Sequence, residues 1–424
     1  MSRLALHWQV VIALALALLA GLATTPDSRL FGVSVLAIYG FLGSLFLNAL
    51  KMLIVPLIVT SIIAGVSGSG AAEGLGRLGG KTLAYYLTTT LLAVLVGLAM
   101  VNLVQPGVLD GVPAARSLGL DAGTGAALAK VADRDAGDLV EIFLRMVPPN
   151  IVAAAAEGEM LGLIVFSLLF GYFVTRLPAD LAGTQRRFWE GAAQAMLKFT
   201  ELVMRFAPIG VFGLVAKVVA GSGLDSFRSL AEFFFTVLAA LAIHMFVVLP
   251  VLVRVFGRAS PWRHFRAMSP AMLTAFSTAS SSATLPLTMD CVEKRAGVSE
   301  RVSSFVLPLG ATVNMDGTAL YECVAVLFIA QAYGVDLSFA QQLTVVLLAL
   351  LTSIGVAGIP AASLVAITLI LGHFGLPAEA IGLILATDRV LDMCRTSVNM
   401  FSDSCGAVVI ARSEGERPLA QATG

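Results

Sequence analysis

Runs of apolar residues long enough to cross a bilayer recur along this chain from one end to the other. Val10 to Ala23 sits inside the first, Leu83 to Val104 forms another, and Phe233 to Val253 a third. Crossing the hydrocarbon takes roughly 20 mostly apolar residues in a helix. Composition agrees with the pattern: 58% of residues are hydrophobic, 13% are charged, and the mean hydropathy is +0.91. Soluble domains carry about 25% charged residues, so 424 residues this poor in charge cannot cover a water-facing surface. The first run reads as a span rather than a cleaved leader, because similar runs recur through the sequence. Basic and acidic residues balance at 27 each, which leaves no bulk field for nucleic acid. Cys291, Cys323, Cys394 and Cys405 are scattered without metal-ligand spacing and read as small packing residues.

The pattern predicts helix throughout, with spans near 6–24, 31–67, 80–104, 137–178, 184–222, 226–257, 300–332 and 378–412. Two further apolar stretches, near 261–295 and 339–373, are interrupted at their centres. The first breaks at Ser280-Ser281-Ser282-Ala283-Thr284-Leu285-Pro286, the second at Gly355-Val356-Ala357-Gly358-Ile359-Pro360. Gly, Pro and Ser loosen a helix, and backbone freed at membrane depth must be buried in protein or line a wet cavity. Each break is followed by one full helix, and this doubled hairpin-plus-helix order suggests an inverted repeat around a transport site. With the N-terminus inside, inner loops receive Arg77, Lys81, Arg176, Arg186, Arg187, Arg254, Arg258, Arg263, Arg266, Lys294, Arg295 and Arg301. Outer loops receive only Arg29, Arg116, Lys130, Arg134, Lys217 and Arg228. That asymmetry satisfies the positive-inside rule.

The last span carries the densest chemistry. Asp388, Asp392, Arg395, Thr396, Asn399 and Asp403 fall at offsets 0, 4, 7, 8, 11 and 15. At about 100° per residue they share an arc of roughly 100° on one helix face. Charges in the hydrocarbon face the protein interior or water and mark transport pathways; a structural ion-pair network would explain one pair but not six aligned polar groups. A zwitterion with an acidic side chain needs a carboxylate for its ammonium and a guanidinium fork for its distal carboxylate. Asp392 and Arg395, three apart, are neighbours on that face.

The run Asn314-Met315-Asp316-Gly317-Thr318 lies mid-span and is poor helix interior. It predicts a local unwinding whose carbonyls, with Asp316 and Asp403, suit a hard cation. Glu322 lies one and a half turns further on. It is a proton-carrier candidate, set against the alternative of a glutamate reaching into a wet cavity.

With these motifs the chain resembles the glutamate transporter family, the dicarboxylate/amino acid:cation symporters. The matching segments are SSSATLP (280–286), NMDGTALYE (314–322), GIPAAS (358–363) and DRVLDMCRTSVN (388–399), together with Tyr85 to Thr90. The resemblance implies an all-α membrane protein of eight transmembrane helices and two re-entrant helical hairpins. It implies inverted repeats, an elevator mechanism and a homotrimer in the cell membrane with both termini cytoplasmic. It assigns 1–77 and 137–224 to scaffold helices 1–2 and 4–5, 78–105 to helix 3 of the transport domain, and 106–136 to an extracellular loop. The rest of the transport domain is 225–412, with helix 6, hairpin 1 (261–295), helix 7 (300–332), hairpin 2 (339–373) and helix 8 (378–412). Residues 413–424 form a cytoplasmic tail.

By position, the resemblance implies substrate contacts at Ser280, Ser281, Thr318, Gly358, Ile359, Asp392, Arg395, Thr396 and Asn399. It implies sodium ligands at Gly310, Asn314, Asn399 and Asp403 for one site. Thr312, Met315, Ser353 and Ile354 form a second, and Tyr86, Thr89, Thr90, Asn314 and Asp316 a third. Within the family, Arg395 goes with acidic substrates, Asp392 with amino acids rather than plain dicarboxylates, and Glu322 resembles the proton-carrying glutamate of animal members. Three departures from the pattern stand out. An additional arginine is missing at both Ala279 and Met393, which bears on potassium counter-transport. Ser363 replaces a common glycine, and Arg389 follows Asp388 where residue type varies.

The expected function is therefore sodium-coupled symport of L-aspartate and L-glutamate, with proton as a candidate second ion. The nearer alternative is a carrier of neutral amino acids or C4-dicarboxylates. A dedicated channel would not need paired groups of opposite sign. An enzyme is not expected: none of His7, His244, His264 and His373 lies near the triple serine in sequence.

Overall fold

Proline, glycine and a few caps decide where the helices start and stop. The computed structural model describes residues 6–25, 27–68, 77–114, 144, 147–157, 160–222, 225–355, 362–377 and 380–419. The helices are α1 (Leu6–Ala23), α2 (Val35–Gly68), α3 (Arg77–Val104), α4 (Ile151–Glu157), α5 (Met160–Val174), α6 (Ala179–Met204) and α7 (Ala207–Ser222). They continue as α8 (Asp225–Ile243), α9 (Leu249–Val255), α10 (Pro261–Thr278), α11 (Ser281–Asp290), α12 (Glu300–Val313) and α13 (Asp316–Ala332). The last are α14 (Phe339–Gly355), α15 (Ala362–His373) and α16 (Ile381–Ser413).

The expectation of helix throughout needs three corrections. Short antiparallel strand pairs, β1 (Arg29–Leu30) with β2 (Val33–Ser34) and β3 (Val108–Leu109) with β4 (Val112–Pro113), precede α2 and follow α3. Both turn on a pair of positive-φ residues, Phe31-Gly32 and Asp110-Gly111, the geometry that two-residue hairpins favour. Residues 137–178 were expected as one span. Leu144 is helical, but the consecutive Pro148 and Pro149, which supply no N–H groups, interrupt the span, and α4 begins at Ile151, where Asn150 Oδ1 caps the N–H groups of Val152 and Ala153 at 2.9 and 3.2 Å. Residues 137–143 lie outside the described residues. α6 and α7, expected as one span over 184–222, are bent by 51° at the break between them.

Helices α8 and α9 are joined by a π-helical turn, His244–Val248. Pro250 has no N–H to give to Phe246, and a π turn absorbs that loss without breaking the rod. The first interrupted stretch is a helical hairpin. α10 ends on Ala279 in the left-handed region, φ 49°, a conformation costing an L-residue about 1–2 kcal/mol. Ser280 then caps α11, its Oγ accepting from Ala283 N at 3.3 Å. The centre of the second stretch, 356–361, with Gly358 and Ile359, lies outside the described residues.

Among the described residues three helices are long and apolar enough to cross a membrane: Arg77–Val104, Arg228–Val255 and Glu300–Ala332. The bent α6–α7 pair makes a fourth if counted as one span, and shorter apolar helices lie in α1, α2, α5 and α14. Large apolar side chains such as Leu19, Phe41, Phe173, Phe235 and Leu273 stand exposed, as a hydrocarbon solvent permits. α13 is different: every residue except Thr318 and Gln331 is buried. It packs against α3, α8, α14, α15 and α16, while α1, α2, α5, α6 and α7 pack mainly on one another. The main core gathers around α13, and a separate apolar cluster of Ala17, Val211, Val215, Ala216 and Val219 joins α1 to α7.

Past α16 the chain turns back under this core. Glu414, only 6% exposed, accepts from Lys81 at 2.7 Å, Arg77 at 3.0 Å and Arg301 at 3.2 Å. Glu416 accepts from the Ser299 N–H and hydroxyl, and Leu419 N donates to Ala296 O at 2.8 Å.

Candidate functional site

The helix over 300–332 breaks where the sequence is poor helix interior. Asn314 and Met315 leave helical geometry (φ/ψ −96°/92° and −116°/53°), so α12 ends and α13 starts deep inside the core. The C-terminal carbonyls of α12 and the N-terminal N–H groups of α13 thus lose helical partners at membrane depth. Gly317 N is one of them, and it donates to Asn399 Oδ1 at 2.7 Å.

Around this break a continuous oxygen-rich cluster assembles from four elements. Asn314 Nδ2 donates to Asp403 Oδ1 at 2.9 Å and to Ser402 Oγ at 3.0 Å. Its Oδ1 lies 3.3 Å from the hydroxyls of both Thr89 and Thr90. Thr90 also donates to Asp316 Oδ1 at 2.7 Å. Asp316 Oδ2 accepts from Ser402 at 2.6 Å and faces His244 Nε2 at 2.9 Å, with both side chains fully buried. Tyr86 donates to Val306 O at 2.7 Å. Gly310 is required here: a Cβ would stand 2.5 Å from both Asp403 Oδ1 and the Tyr86 hydroxyl. Two acids with amide, hydroxyl and carbonyl oxygens make a donor set for a hard cation.

The structure thus brings together the first and third of the expected ligand groups, Gly310, Asn314, Asn399, Asp403, Tyr86, Thr89, Thr90 and Asp316. The second group is less gathered. Asn399 Nδ2 donates to Met315 Sδ at 3.1 Å. Thr312 and Ser353, however, spend their hydroxyls on carbonyls of their own helices, Leu309 and Leu350. Ile354 lies near the end of α14, and its side chain is outside the described residues.

About two turns from Asp403 toward the start of α16 lies the charged group. Arg395 is 1% exposed. Its Nη2 donates to Asp388 Oδ1 at 3.0 Å and to Asp392 Oδ1 at 3.1 Å. Its Nη1 donates to Ser363 Oγ on α15 at 2.9 Å. The guanidinium also lies 3.9 Å from the centre of the Tyr321 ring, in range of a cation–π contact. Arg395 Nε is buried with no hydrogen-bond partner among the described residues, an open donor in a charged fork. Asp392 Oδ2 sits 3.4 Å from Arg389 Nη1, so this carboxylate is held between two arginines. Thr318 accepts from Asn399 Nδ2 at 3.2 Å and links this group to the cation cluster. Thr396 is buried on the same helix. Ser281 is buried and Ser280 caps its own helix; neither bonds to the α16 group among the described residues.

Glu322, fully buried, meets Thr352 of α14: Oγ1 stands 2.9 Å from Glu322 Oε2. Several partners escaped sequence reasoning: His244, Ser402 and Thr352, with Asp388 and Ser363 as direct partners of Arg395. For His244 a signal existed, since an ionisable residue inside an apolar span is by default functional. Ser402 and Thr352 carried none, because buried hydroxyls are common in apolar helices.

The pattern of a family described as "Sodium:dicarboxylate symporter family" matches residues 6–413. The chain is 36% identical over 414 residues to the "Proton/glutamate-aspartate symporter" of Escherichia coli, covering 97% of this chain and 93% of that protein. It is 34% identical to the "Proton/sodium-glutamate symport protein" of Bacillus caldotenax, covering 98% and 96%. It is 34% identical to the human "Excitatory amino acid transporter 3", covering 88% and 79%.

Proposed function

This chain belongs to the sodium:dicarboxylate symporter family, and from that premise we propose that it is a sodium-coupled secondary active symporter of the acidic amino acids L-aspartate and L-glutamate, with proton as a second coupling ion. It is a multi-pass membrane protein and, as a symporter, not an enzyme. Relatives named for glutamate and aspartate symport, with proton or with proton and sodium, support the substrate and the ions.

The observation that carries the reading is Arg395. A guanidinium buried in an apolar bundle, with Nε open among the described residues and two carboxylates on Nη2, suits a dicarboxylic amino acid. The distal carboxylate takes the fork, whose bidentate geometry a lysine lacks. The ammonium takes Asp392, and Thr318, Thr396, Asn399, Ser280, Ser281, Gly358 and Ile359 are the further substrate contacts of this reading. Sodium is cargo, held by the Asn314–Asp316–Asp403 cluster and by Thr312, Met315, Ser353 and Ile354. We assign α1, α2 and α4–α7 to the scaffold of a homotrimer, and α3 with α8–α16 to a transport domain moving as an elevator. The full protein has eight transmembrane helices, two re-entrant hairpins and both termini cytoplasmic.

The test is radiolabelled L-aspartate uptake into proteoliposomes under an inward sodium gradient, then with potassium replacing external sodium. Uptake with sodium alone is expected, competed by glutamate. Competition by serine or succinate but not glutamate would transfer the assignment to neutral amino acids or C4-dicarboxylates. Absent uptake by folded protein would overturn the reading.

A further inference from the structure

Thr352 carries one hydroxyl proton and has two close acceptors, with Ala349 O of its own helix further off at 3.4 Å. Its Oγ1 lies 2.8 Å from Leu348 O, one turn back in α14, and 2.9 Å from Glu322 Oε2 on α13. A hydroxyl donates once but can accept twice, so the two contacts cannot both be donations. In one pattern Glu322 is a neutral acid, gives its proton from Oε2 to Thr352, and Thr352 gives its own to Leu348 O. Every donor is then used. In the other pattern Glu322 is ionised, and Thr352 must turn its proton from Leu348 to the carboxylate. The second carboxylate oxygen, Oε1, has no hydrogen-bond partner among the described residues. The charged form would thus rest on a single donor in a fully buried place, and a buried charge needs more than that.

The surroundings offer little else. α14 contains no charged residue, and α15 carries only His373 in its last turn. On α3 the charged groups are Arg77 and Lys81, at its far end. On α8 they are Asp225, Arg228 and Glu232, near its start, and beyond α8 His244 of the π turn is engaged with Asp316. On α16 the nearest cation is Arg395, already shared between Asp388 and Asp392; Arg389 pairs with Asp392, and Asp403 lies in the sodium cluster.

We propose that Thr352 is a positioning residue that reports the protonation state of Glu322 to hairpin 2: its hydroxyl reverses when Glu322 releases a proton to water, and so couples proton binding to the arm of the hairpin that carries Ser353. The inference rests on the symport reading and concerns the proton within it. Glu322 as a proton carrier is an expectation from sequence; the switch through Thr352 comes from the two distances and the open Oε1.

The experiment is the pH profile of sodium-driven L-aspartate uptake in proteoliposomes, between about pH 5 and 9, for wild type and Thr352→Val, Thr352→Ser, Glu322→Gln and the double variant Glu322→Gln/Thr352→Val. Valine keeps the shape and removes the hydroxyl; Thr352→Ala replaces it if the valine protein does not fold. Loss of the sole donor to the ionised form moves the midpoint of the profile upward by about one unit, tenfold in proton affinity. Serine restores the wild-type midpoint. In the Glu322→Gln background, Thr352→Val shifts nothing further, because residues acting through one contact are not additive. A wild-type midpoint in Thr352→Val, a valine-like shift in Thr352→Ser, or a flat wild-type profile would overturn the inference and leave sodium symport standing. No sodium-driven uptake by the wild type would instead overturn the symport reading itself.

Discussion

Thr90 and Asp316 meet at 2.7 Å across 226 residues of chain. That hydrogen bond ties the middle of α3 to the first residue of α13 and fixes one oxygen of a buried carboxylate, while Ser402 and His244 fix the other. Thr90→Val removes one donor to a charged group, a loss of roughly 1.5 kcal/mol. The sodium concentration for half-maximal aspartate uptake rises about tenfold, while aspartate affinity at saturating sodium stays near wild type. A sodium curve that does not move would remove Thr90 from the cation site.

Arg395→Cys abolishes uptake of acidic substrates. Truncating one partner of a buried charge pair costs about 2–5 kcal/mol, so aspartate affinity falls by roughly 30-fold or more. Neutral amino acids, which need no guanidinium, gain in competition assays. Unchanged aspartate uptake would take Arg395 out of its assigned role.

Arg389→Gln separates amino acids from plain dicarboxylates. Asp392 loses its second arginine but keeps Arg395, so its free oxygen attracts an ammonium more strongly. A partly exposed pair is worth about 0.2–1 kcal/mol, which predicts aspartate binding up to about fivefold tighter. Succinate, with no ammonium, competes as before. Equal changes for both ligands would show that Arg389 acts only on packing.

Gly310→Ala drives a methyl group into Asp403 and Tyr86, where 2.5 Å is available. Sodium-dependent uptake is lost. Gly80→Ala on α3 is the control, since no atom lies within 4 Å of a Cβ there, and its uptake stays at the wild-type level. Full activity of Gly310→Ala would show that the backbone at this point can move.

The tail contact predicts a pH dependence of stability. Hydrogen bonds from Lys81 and Arg77 hold the Glu414 carboxyl down at about 2, against an ordinary value of 4.5. A depressed acid stabilises the fold above its ordinary value and loses that contribution as pH falls through its folded value. Glu414→Gln therefore lowers the melting temperature of the purified protein at neutral pH, and the difference from wild type closes as pH falls from about 4.5 toward about 2. Arg77 and Arg301 are largely exposed, so high salt shrinks the effect too. Equal melting of the two proteins at neutral pH and low salt would make the contact energetically idle.

Much of the site was legible because a membrane helix makes its economy visible. In an apolar span any charge stands out, and the 3.6-residue period alone put Asp388, Asp392, Arg395 and Asp403 on one face. The run from Asn314 to Gly317 was legible as a break for the same reason, since nothing in it favours a helix interior. The two β-hairpins were not picked out, although Asp110-Gly111 is a turn signal. The break before α4 was missed because apolar content was weighed above Pro148 and Pro149.

What the sequence by itself determined was the solvent, the helical class, the interrupted stretches and the charged face, all of them consequences of local pattern. What only the tertiary structure decided was partnership. His244 with Asp316, Thr352 with Glu322, and Ser363 with Arg395 pair residues 72, 30 and 32 positions apart. These pairings depend on how α8, α14 and α15 pack around α13 and α16. Helical periodicity extends only along one rod, so a contact between two rods is set by their packing, and a polar residue buried there must find its hydrogen bond on whichever neighbour the fold supplies.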